Sequence, residues 1–208
     1  MLDVGANTGQ YRDYLREKVG YENLIISFEP VASTFETLKQ RSEEDQNWEV
    51  FNFALGAAKS TMEINVMSNP VFSSFMTPDV SEEQSFSAQN AVERTELVQV
   101  KTLDSVMEEI ADKCPAGQTY LKLDTQGYDL EVVRGAEMSL SRIMALQTEV
   151  SVKLIYKDIP NFVESYEFLA AKGFGITGMF PISWDPSLRV VEFDFVMVNG
   201  ALLDEPVN

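Results

Sequence analysis

The sequence predicts an α/β protein with a doubly wound, mainly parallel sheet, and three observations point to this fold class. Strand-like and helix-like segments alternate along the chain. The strands are apolar rather than half-polar, which is typical of a sheet covered by helices on both faces. A glycine turn follows the first strand, and such sheets bind ligands at the carboxyl ends of their strands, where the strand order reverses.

The first half of the chain supplies the first strand and helix units. Residues 2–11, LDVGANTGQY, end a buried strand in a glycine turn, and YRDYLREKVG then has the apolar spacing of a helix. NLIISFEP (23–30) and VASTFETLKQRSEE repeat that unit. We predict a third strand over 48–56, WEVFNFALG, and a strand of a hairpin over 61–68, TMEINVMS.

The second half continues the alternation. VQVKTLDSV leads into a short helix, MEEIADKC, and TYLKLDTQG (119–127) is a strand that ends in a carboxylate. The elements that follow are a helix, a strand, a helix and two closing strands, over 128–143, 145–156, 161–174, 175–183 and 190–199. The closing strands lie close enough in sequence to pair as an antiparallel edge.

One segment, at about 67–96, departs from this rhythm. It is rich in Ser, Asn, Pro and acidic residues and has no steady period, so we expect a long irregular excursion. It is either a solvated loop or a lid that contacts the acceptor, and Phe72, Phe75 and Met76 favour the lid.

Length and charge limit the classes of protein. A chain of 208 residues most simply forms a single domain over 1–208, with a sizeable core. It carries 16 basic and 33 acidic side chains, and a net charge of −17 disfavours nucleic acid and anionic lipid as partners. Because the chain has no histidine, a histidine-based triad and a histidine-ligated metal are excluded, and we predict no metal-binding residues.

The same composition bears on location. Cys114 is the single cysteine, which excludes an intramolecular disulfide and fits a reducing compartment. No apolar run reaches membrane-spanning length and no basic-then-apolar leader is present. We therefore expect a cytoplasmic protein without membrane insertion.

The glycine turn distinguishes between nucleotide cofactors. A dinucleotide-binding turn needs a glycine where the backbone approaches the pyrophosphate, and here Asn7 stands between Gly5 and Gly9. Glu29 comes 20 residues after Gly9, at the tip of the second strand, where an acid accepts the hydrogen bonds of a ribose diol. A ribose without a pyrophosphate fits S-adenosylmethionine and disfavours a dehydrogenase.

The expected cofactor site follows from this order. The amino-acid end would lie along the glycine turn, the ribose at Glu29, and the adenine beside Ala54 and Leu55. Taken singly, Asp3 could be a turn former and Glu29 a polar strand end, and the assignment depends on their order and spacing together.

Several motifs in sequence order extend this interpretation. DVGANTGQY, SFEP, FNFALG, SSF, KTLDSV and LKLDTQGYDLEVVRGA resemble the FkbM-type S-adenosylmethionine-dependent methyltransferases over most of the chain. The resemblance implies a class I methyltransferase fold with a seven-stranded sheet and an antiparallel last strand pair. It also implies methyl transfer to a hydroxyl group of a small molecule or sugar.

Carried over residue by residue, the resemblance implies a cofactor site made of the glycine turn, the acid-proline pair and the acid at the tip of the fourth strand. These residues are Asp3, Gly5, Asn7, Gly9, Glu29, Pro30 and Asp124. The chain departs from the family at Gln126 and at Tyr128-Asp129, where acids are common, so the acceptor and any metal role stay open. A non-catalytic adenosyl-binding module is the alternative.

Catalysis needs a base that is not histidine. Among carboxylates, lysines and tyrosines, the strand-tip acids Asp124 and Glu149 are expected nearest the methyl group and could face one cleft. They could form a base with a raised pKa or bind a divalent cation; alternatively, Asp124 only holds the cofactor's ammonium and Glu149 only caps backbone groups. Lys122 is either an active-site cation or a strand-edge residue with its ammonium group in solvent.

Overall fold

The computed structural model describes residues 1–78 and 91–203. Its strands are β1 (Leu2–Val4), β2 (Ile25–Phe28), β3 (Trp48–Phe51), β4 (Ala54–Leu55), β5 (Ser60–Met67), β6 (Val92–Lys101), β7 (Thr119–Leu123), β8 (Ile143–Ser151), β9 (Phe174–Trp184) and β10 (Val190–Asn199). The helices are α1 (Gln10–Tyr14), α2 (Ala32–Ser42), α3 (Leu103–Glu109), α4 (Asp129–Arg134), α5 (Phe162–Ala171) and α6 (Gly200–Leu203). A π-helical turn (Leu15–Val19) continues α1, and short 3₁₀ turns lie at Pro70–Phe72 and Ser139–Arg142.

The larger sheet has seven strands in the order β3-β2-β1-β7-β8-β10-β9. All neighbours are parallel except β10, which runs antiparallel to both β8 and β9. This confirms the predicted fold class and the antiparallel last pair. The strand order reverses at β1, because β2 lies on one side of it and β7 on the other.

The apolar strands produce a core on both faces of this sheet. On one face, residues of β1, β2, β7 and β8 pack against α3 and α4. On the other face, Leu15 and Leu38, from the segments after β1 and β2, pack against Ile25 and Trp48. The larger sheet is therefore covered on both faces, as its apolar strands predict.

A second sheet of three strands, in the order β4-β6-β5, was not predicted. The stretch 48–56, predicted as one strand, divides between the two sheets. Asn52 holds the break, because its side-chain amide donates to the backbone oxygens of Glu29 and Pro30 at 2.9 and 3.0 Å. The division carries Ala54 and Leu55 away from β3 and into the wall of the strand-tip cleft.

Other predicted elements differ in their bounds. The short helix predicted in MEEIADKC begins earlier, at Leu103, because Thr102 caps it, and it ends at Glu109. The helix predicted over 128–143 ends at Arg134, where Gly135 lets the backbone approach so closely that a Cβ atom would overlap the backbone oxygen of Gly56. The strand predicted over 145–156 ends at Ser151. No helix within the described ranges is long and apolar enough to cross a membrane.

The irregular excursion predicted over 67–96 is shorter than expected, because the strands on either side extend into it. Met67 ends β5 and Val92 begins β6, while residues 79–90 lie outside the described residues. The early part packs on the body of the protein, since the hydroxyl of Ser74 donates to the backbone oxygen of Gln126 at 2.7 Å.

Candidate active site

The turn after β1 is pressed against the end of β7. Gly5 has a φ of 80°, and a Cβ atom there would overlap the backbone oxygen of Asp124, so the position requires glycine. The backbone amides of Gly5 and Ala6 donate to the oxygen of Phe28 at 3.0 and 3.1 Å. The tips of three neighbouring strands thereby form one edge of a cleft.

Glu29 lies in this edge with 6% of its surface exposed. Its two carboxylate oxygens accept the backbone amides of Val31 at 2.9 Å and Asn7 at 3.0 Å. Burial raises the pKa of Glu29 to about 7, although these two hydrogen bonds act in the opposite direction. A carboxylate has about four acceptor positions, so two remain for the hydroxyl groups of a ligand.

A cleft of about 440 Å³ opens at this edge, large enough for a small cofactor. The predicted residues that line it are Gly5, Asn7, Glu29, Pro30, Ala54, Leu55 and Asp124. We call it the first cleft. Gly5 and Asp124, which are more than 100 positions apart in the sequence, therefore line one cavity together with Glu29.

Two predicted cofactor residues, Asp3 and Gly9, do not line the first cleft. Asp3 is fully buried, and its Oδ2 accepts the hydroxyl of Ser27 at 3.3 Å. Gly9 has a φ of 92°, and a Cβ atom there would overlap the ring of Trp48. Asp3 and Gly9 therefore pack beside the turn, on Ser27 and Trp48, and their contact with the cofactor stays a prediction.

Lys122 lies behind the same edge with only 7% of its surface exposed. Its Nζ is 2.9 Å from Asp124 Oδ2 and 3.7 Å from Asp3 Oδ1, and it lies 4.9 Å from the ring centre of Tyr11. Although burial lowers the pKa of Lys122, the carboxylates of Asp124 and Asp3 raise it above the ordinary value. The interpretation with the ammonium in solvent is therefore wrong, and Lys122 is a buried cation.

The predicted catalytic pair, Asp124 and Glu149, is joined through a third side chain. Gln126 Nε2 donates to Asp124 Oδ1 at 3.0 Å and to Glu149 Oε2 at 2.9 Å. Burial and then the charge of Asp124 raise the pKa of Glu149 well above its ordinary value. Gln126 was noticed in the sequence as a departure from the family, yet its bridging position depends on tertiary contacts.

Asp124 and Glu149 also line a second cleft, of about 560 Å³. Its walls include Gln147 and Asp194, and the rings of Tyr11, Tyr14 and Phe180. The first and second clefts share Tyr11, Tyr14, Lys122 and Asp124. Two compartments therefore meet at Asp124, and Glu149 faces the second of them.

Asp129, the acid after the glycine of LDTQGYD, has a structural position. Its Oδ1 accepts the backbone amide of Thr125 at 2.8 Å and also the hydroxyl of Thr125, and its Oδ2 accepts the hydroxyl of Thr148 at 2.7 Å. These bonds fix the turn that carries Asp124 and Gln126. Within residues 1–78 and 91–203, no group of three or more acidic or cysteine side chains is placed to hold a metal ion.

The early part of the excursion, predicted as either a solvated loop or a lid that contacts the acceptor, lies at the first cleft and does not line the second. The cleft lining includes Pro70, Val71, Ser73, Ser74 and Phe75. The ring of Phe75 packs 4.8 Å from that of Tyr128, centre to centre. In the sequence, the SSF motif is the signal for this contact. The position of the motif at the cleft depends on the second sheet, because Ser74 pairs with Asn65 of β5.

Comparisons with known proteins agree with this geometry. The family model for the methyltransferase FkbM domain matches residues 3–176. A methyltransferase FkbM from Methylobacillus flagellatus KT is similar in structure, with a TM-score of 0.56 and 16% identity, over 94% of this chain and 42% of that one. This chain thus spans less than half of that protein's length.

Two further solved structures share the fold. A putative S-adenosylmethionine-dependent methyltransferase from Listeria monocytogenes has a TM-score of 0.54 at 10% identity, over 95% of this chain and 89% of that one. Aeropyrum pernix fibrillarin, solved with natively bound S-adenosyl-L-methionine, has a TM-score of 0.50 at 13% identity, over 95% of this chain and 65% of that one. The sequence matches no curated protein.

Proposed function

Because the chain belongs to the FkbM methyltransferase family, whose methyl donor is S-adenosylmethionine, we propose that it methylates a hydroxyl group of a small molecule or glycan. The observation that carries this proposal is the meeting of two clefts at Asp124, with Glu149 on the second. One cleft is of a size to hold the donor and the other to hold the acceptor. The net charge of −17 disfavours polyanionic acceptors. We also propose a cytoplasmic location, which fits the single cysteine, Cys114.

The first cleft offers a group for each part of the donor. The two free acceptor positions of Glu29 suit the ribose hydroxyls, and the apolar side chain of Leu55 suits the adenine. The amino-acid end would lie along Gly5 and Asn7, with Asp124 placed to bind its ammonium group. These assignments direct the sulfonium toward Asp124, where the second cleft begins.

The chemistry then asks little of the protein beyond alignment and a proton acceptor. Bound S-adenosylmethionine would supply an activated methyl group, which the acceptor oxygen would take from sulfur while the carbon–sulfur electron pair stays on sulfur. The hydroxyl proton must leave, and Glu149 is placed to take it. A carboxylate with a raised pKa is a stronger base than an ordinary one, which suits this task near neutral pH.

Transfer of a labelled methyl group tests this function. The protein would be incubated with methyl-labelled S-adenosylmethionine and sugars, polyketides, lipids or peptides, and the labelled product tested for a methyl ether. Label on a hydroxyl oxygen supports the proposal. Binding of the donor without transfer to any hydroxylated class would favour a non-catalytic adenosyl-binding module.

Glu29 provides a prediction on pH and stability. Its pKa of about 7 in the folded protein exceeds the value of 4.5 expected for an unfolded chain, so the folded state binds more protons between these values. The contribution of Glu29 to the free energy of unfolding therefore falls as pH rises from 4.5 to 7, by up to about 1.4 kcal/mol per pH unit. Urea unfolding of the cofactor-free protein and of Glu29→Gln measures this change, and the stability difference between the two proteins should become independent of pH below about pH 4.5, where Glu29 is protonated in both states. A difference that is constant from pH 4.5 to 7 would contradict the buried, protonated state.

A further inference from the structure

Gln126 uses its whole carboxamide inside the site and is 7% exposed. Besides the bonds from Nε2 to Asp124 and Glu149, its Oε1 accepts the hydroxyl of Tyr156 at 3.1 Å. Its backbone oxygen accepts the hydroxyl of Ser74 at 2.7 Å. Gln126 therefore links the turn after β7, the strand β8 and the segment that covers the first cleft.

The carboxamide fits this place in one orientation. Its nitrogen carries two hydrogens, and each goes to one carboxylate. In the flipped orientation, the carboxamide oxygen of Gln126 would face the carboxylate oxygens of Asp124 and Glu149. An amide oxygen has no hydrogen to donate to them. The hydroxyl of Tyr156, on the opposite side, lies 3.1 Å from Oε1 of Gln126 and 3.1 Å from the backbone oxygen of Phe72, so the two oxygens share its one hydrogen.

We propose that Gln126 is a positioning residue. It holds the Glu149 carboxylate beside Asp124 by the Oε2 atom of Glu149 and leaves the Oε1 atom of Glu149 for the acceptor. The proposal rests on the proposed function, in which Glu149 receives the hydroxyl proton. A carboxamide does not ionise, so Gln126 holds two carboxylates together without competing for that proton. Within the described residues, Gln126 is the side chain that donates a hydrogen bond to the carboxylate of Glu149.

The charged and titratable groups that face Glu149 come from every element around it. They are Asp124 and Lys122 of the β7 tip, Asp129 at the start of α4, Glu192 and Asp194 on β10, and Tyr156 after β8. Asp194 lies directly opposite Glu149 in the strand pairing. Most of these groups are acids and disfavour the charged form of Glu149, whereas Lys122 favours it. The hydrogen bond from Gln126 acts in the same direction as Lys122, because it is donated to the carboxylate.

The test is a titration of Glu149 in the cofactor-free protein. Gln126→Met keeps the side-chain length and removes the hydrogen bonds that Gln126 donates to Asp124 and Glu149. With ¹³C-labelled glutamate carboxyls, the NMR signal of Glu149 is identified by its loss in Glu149→Gln. We expect Gln126→Met to raise the pKa of Glu149 by about one unit, the usual effect of losing a hydrogen bond to a charged group. Gln99→Met, an exposed change on β6, should leave that pKa unchanged.

An unchanged Glu149 pKa in a folded Gln126→Met protein overturns the proposal. If Gln126→Met does not fold, Gln126→Asn decides, because it keeps a carboxamide but shortens its reach to Glu149 by one methylene group. A raised pKa of Glu149 supports the clamp and an unchanged one overturns it. Calorimetry with S-adenosylmethionine runs in parallel. Failure of the wild-type protein to bind it would overturn the proposed function, whereas the titration tests the clamp without any cofactor.

Discussion

Gly5→Val is expected to abolish binding of S-adenosylmethionine. A Cβ atom at this position would overlap the backbone oxygen of Asp124, and the φ of 80° is strained for any side chain. The turn would have to move away from β7, which removes the edge on which we propose that the amino-acid end of the donor lies. Calorimetric titration should therefore show no measurable binding.

The matched control for this change is Gly175→Val. Gly175 lies on β9 with no atom within 4 Å of a Cβ atom, so the same side chain has room there. Circular dichroism would show whether each variant is folded. Donor affinity close to that of the wild type in a folded Gly5→Val protein would contradict the placement of the donor on this turn.

Glu149→Gln is expected to lower turnover by about 10²-fold or more, the usual effect of losing a general base. Glutamine is nearly isosteric and can still accept the hydrogen bond from Gln126, but it cannot take up the proton of the acceptor hydroxyl. Because Glu149 lines the second cleft and not the first, affinity for S-adenosylmethionine should stay within a few fold. Single-turnover kinetics on an identified acceptor, with calorimetry for the donor, measure both effects.

Two comparisons make this test specific. Glu63→Gln is the same change on the exposed face of β5 and should leave turnover unchanged. Activity with and without a chelator distinguishes a base from a metal-assisted reaction, and we expect no loss on chelation. A fully active Glu149→Gln enzyme would remove this residue from the mechanism and leave alignment as the source of catalysis.

The parts of this fold that the sequence predicts are those set by local pattern. The apolar runs at 23–30 and 119–127 became parallel strands because each can be buried on both faces. Gly5 and Glu29 could be expected at the strand-tip cleft from the sequence, because their chemistry and spacing are local requirements of the turn and the strand tip. The family resemblance and the S-adenosylmethionine cofactor are confirmed by the match over residues 3–176.

What the sequence missed depends on contacts between distant segments. The break at Asn52 is held by the backbone oxygens of Glu29 and Pro30, more than 20 residues away in the chain. The bridge from Gln126 to Glu149 spans 23 positions and requires β7 and β8 to be neighbours. No periodicity or motif encodes such pairs, so they become visible only once the strands are in register.

The structure of the protein with bound S-adenosylhomocysteine tests the central claim most directly. The account predicts the ribose hydroxyls within hydrogen-bonding distance of the Glu29 carboxylate, and the amino-acid end along Gly5 and Asn7. It also predicts the sulfur atom where the two clefts meet, facing the side of Glu149. A ribose away from Glu29, or a sulfur atom directed away from the second cleft, would contradict the account.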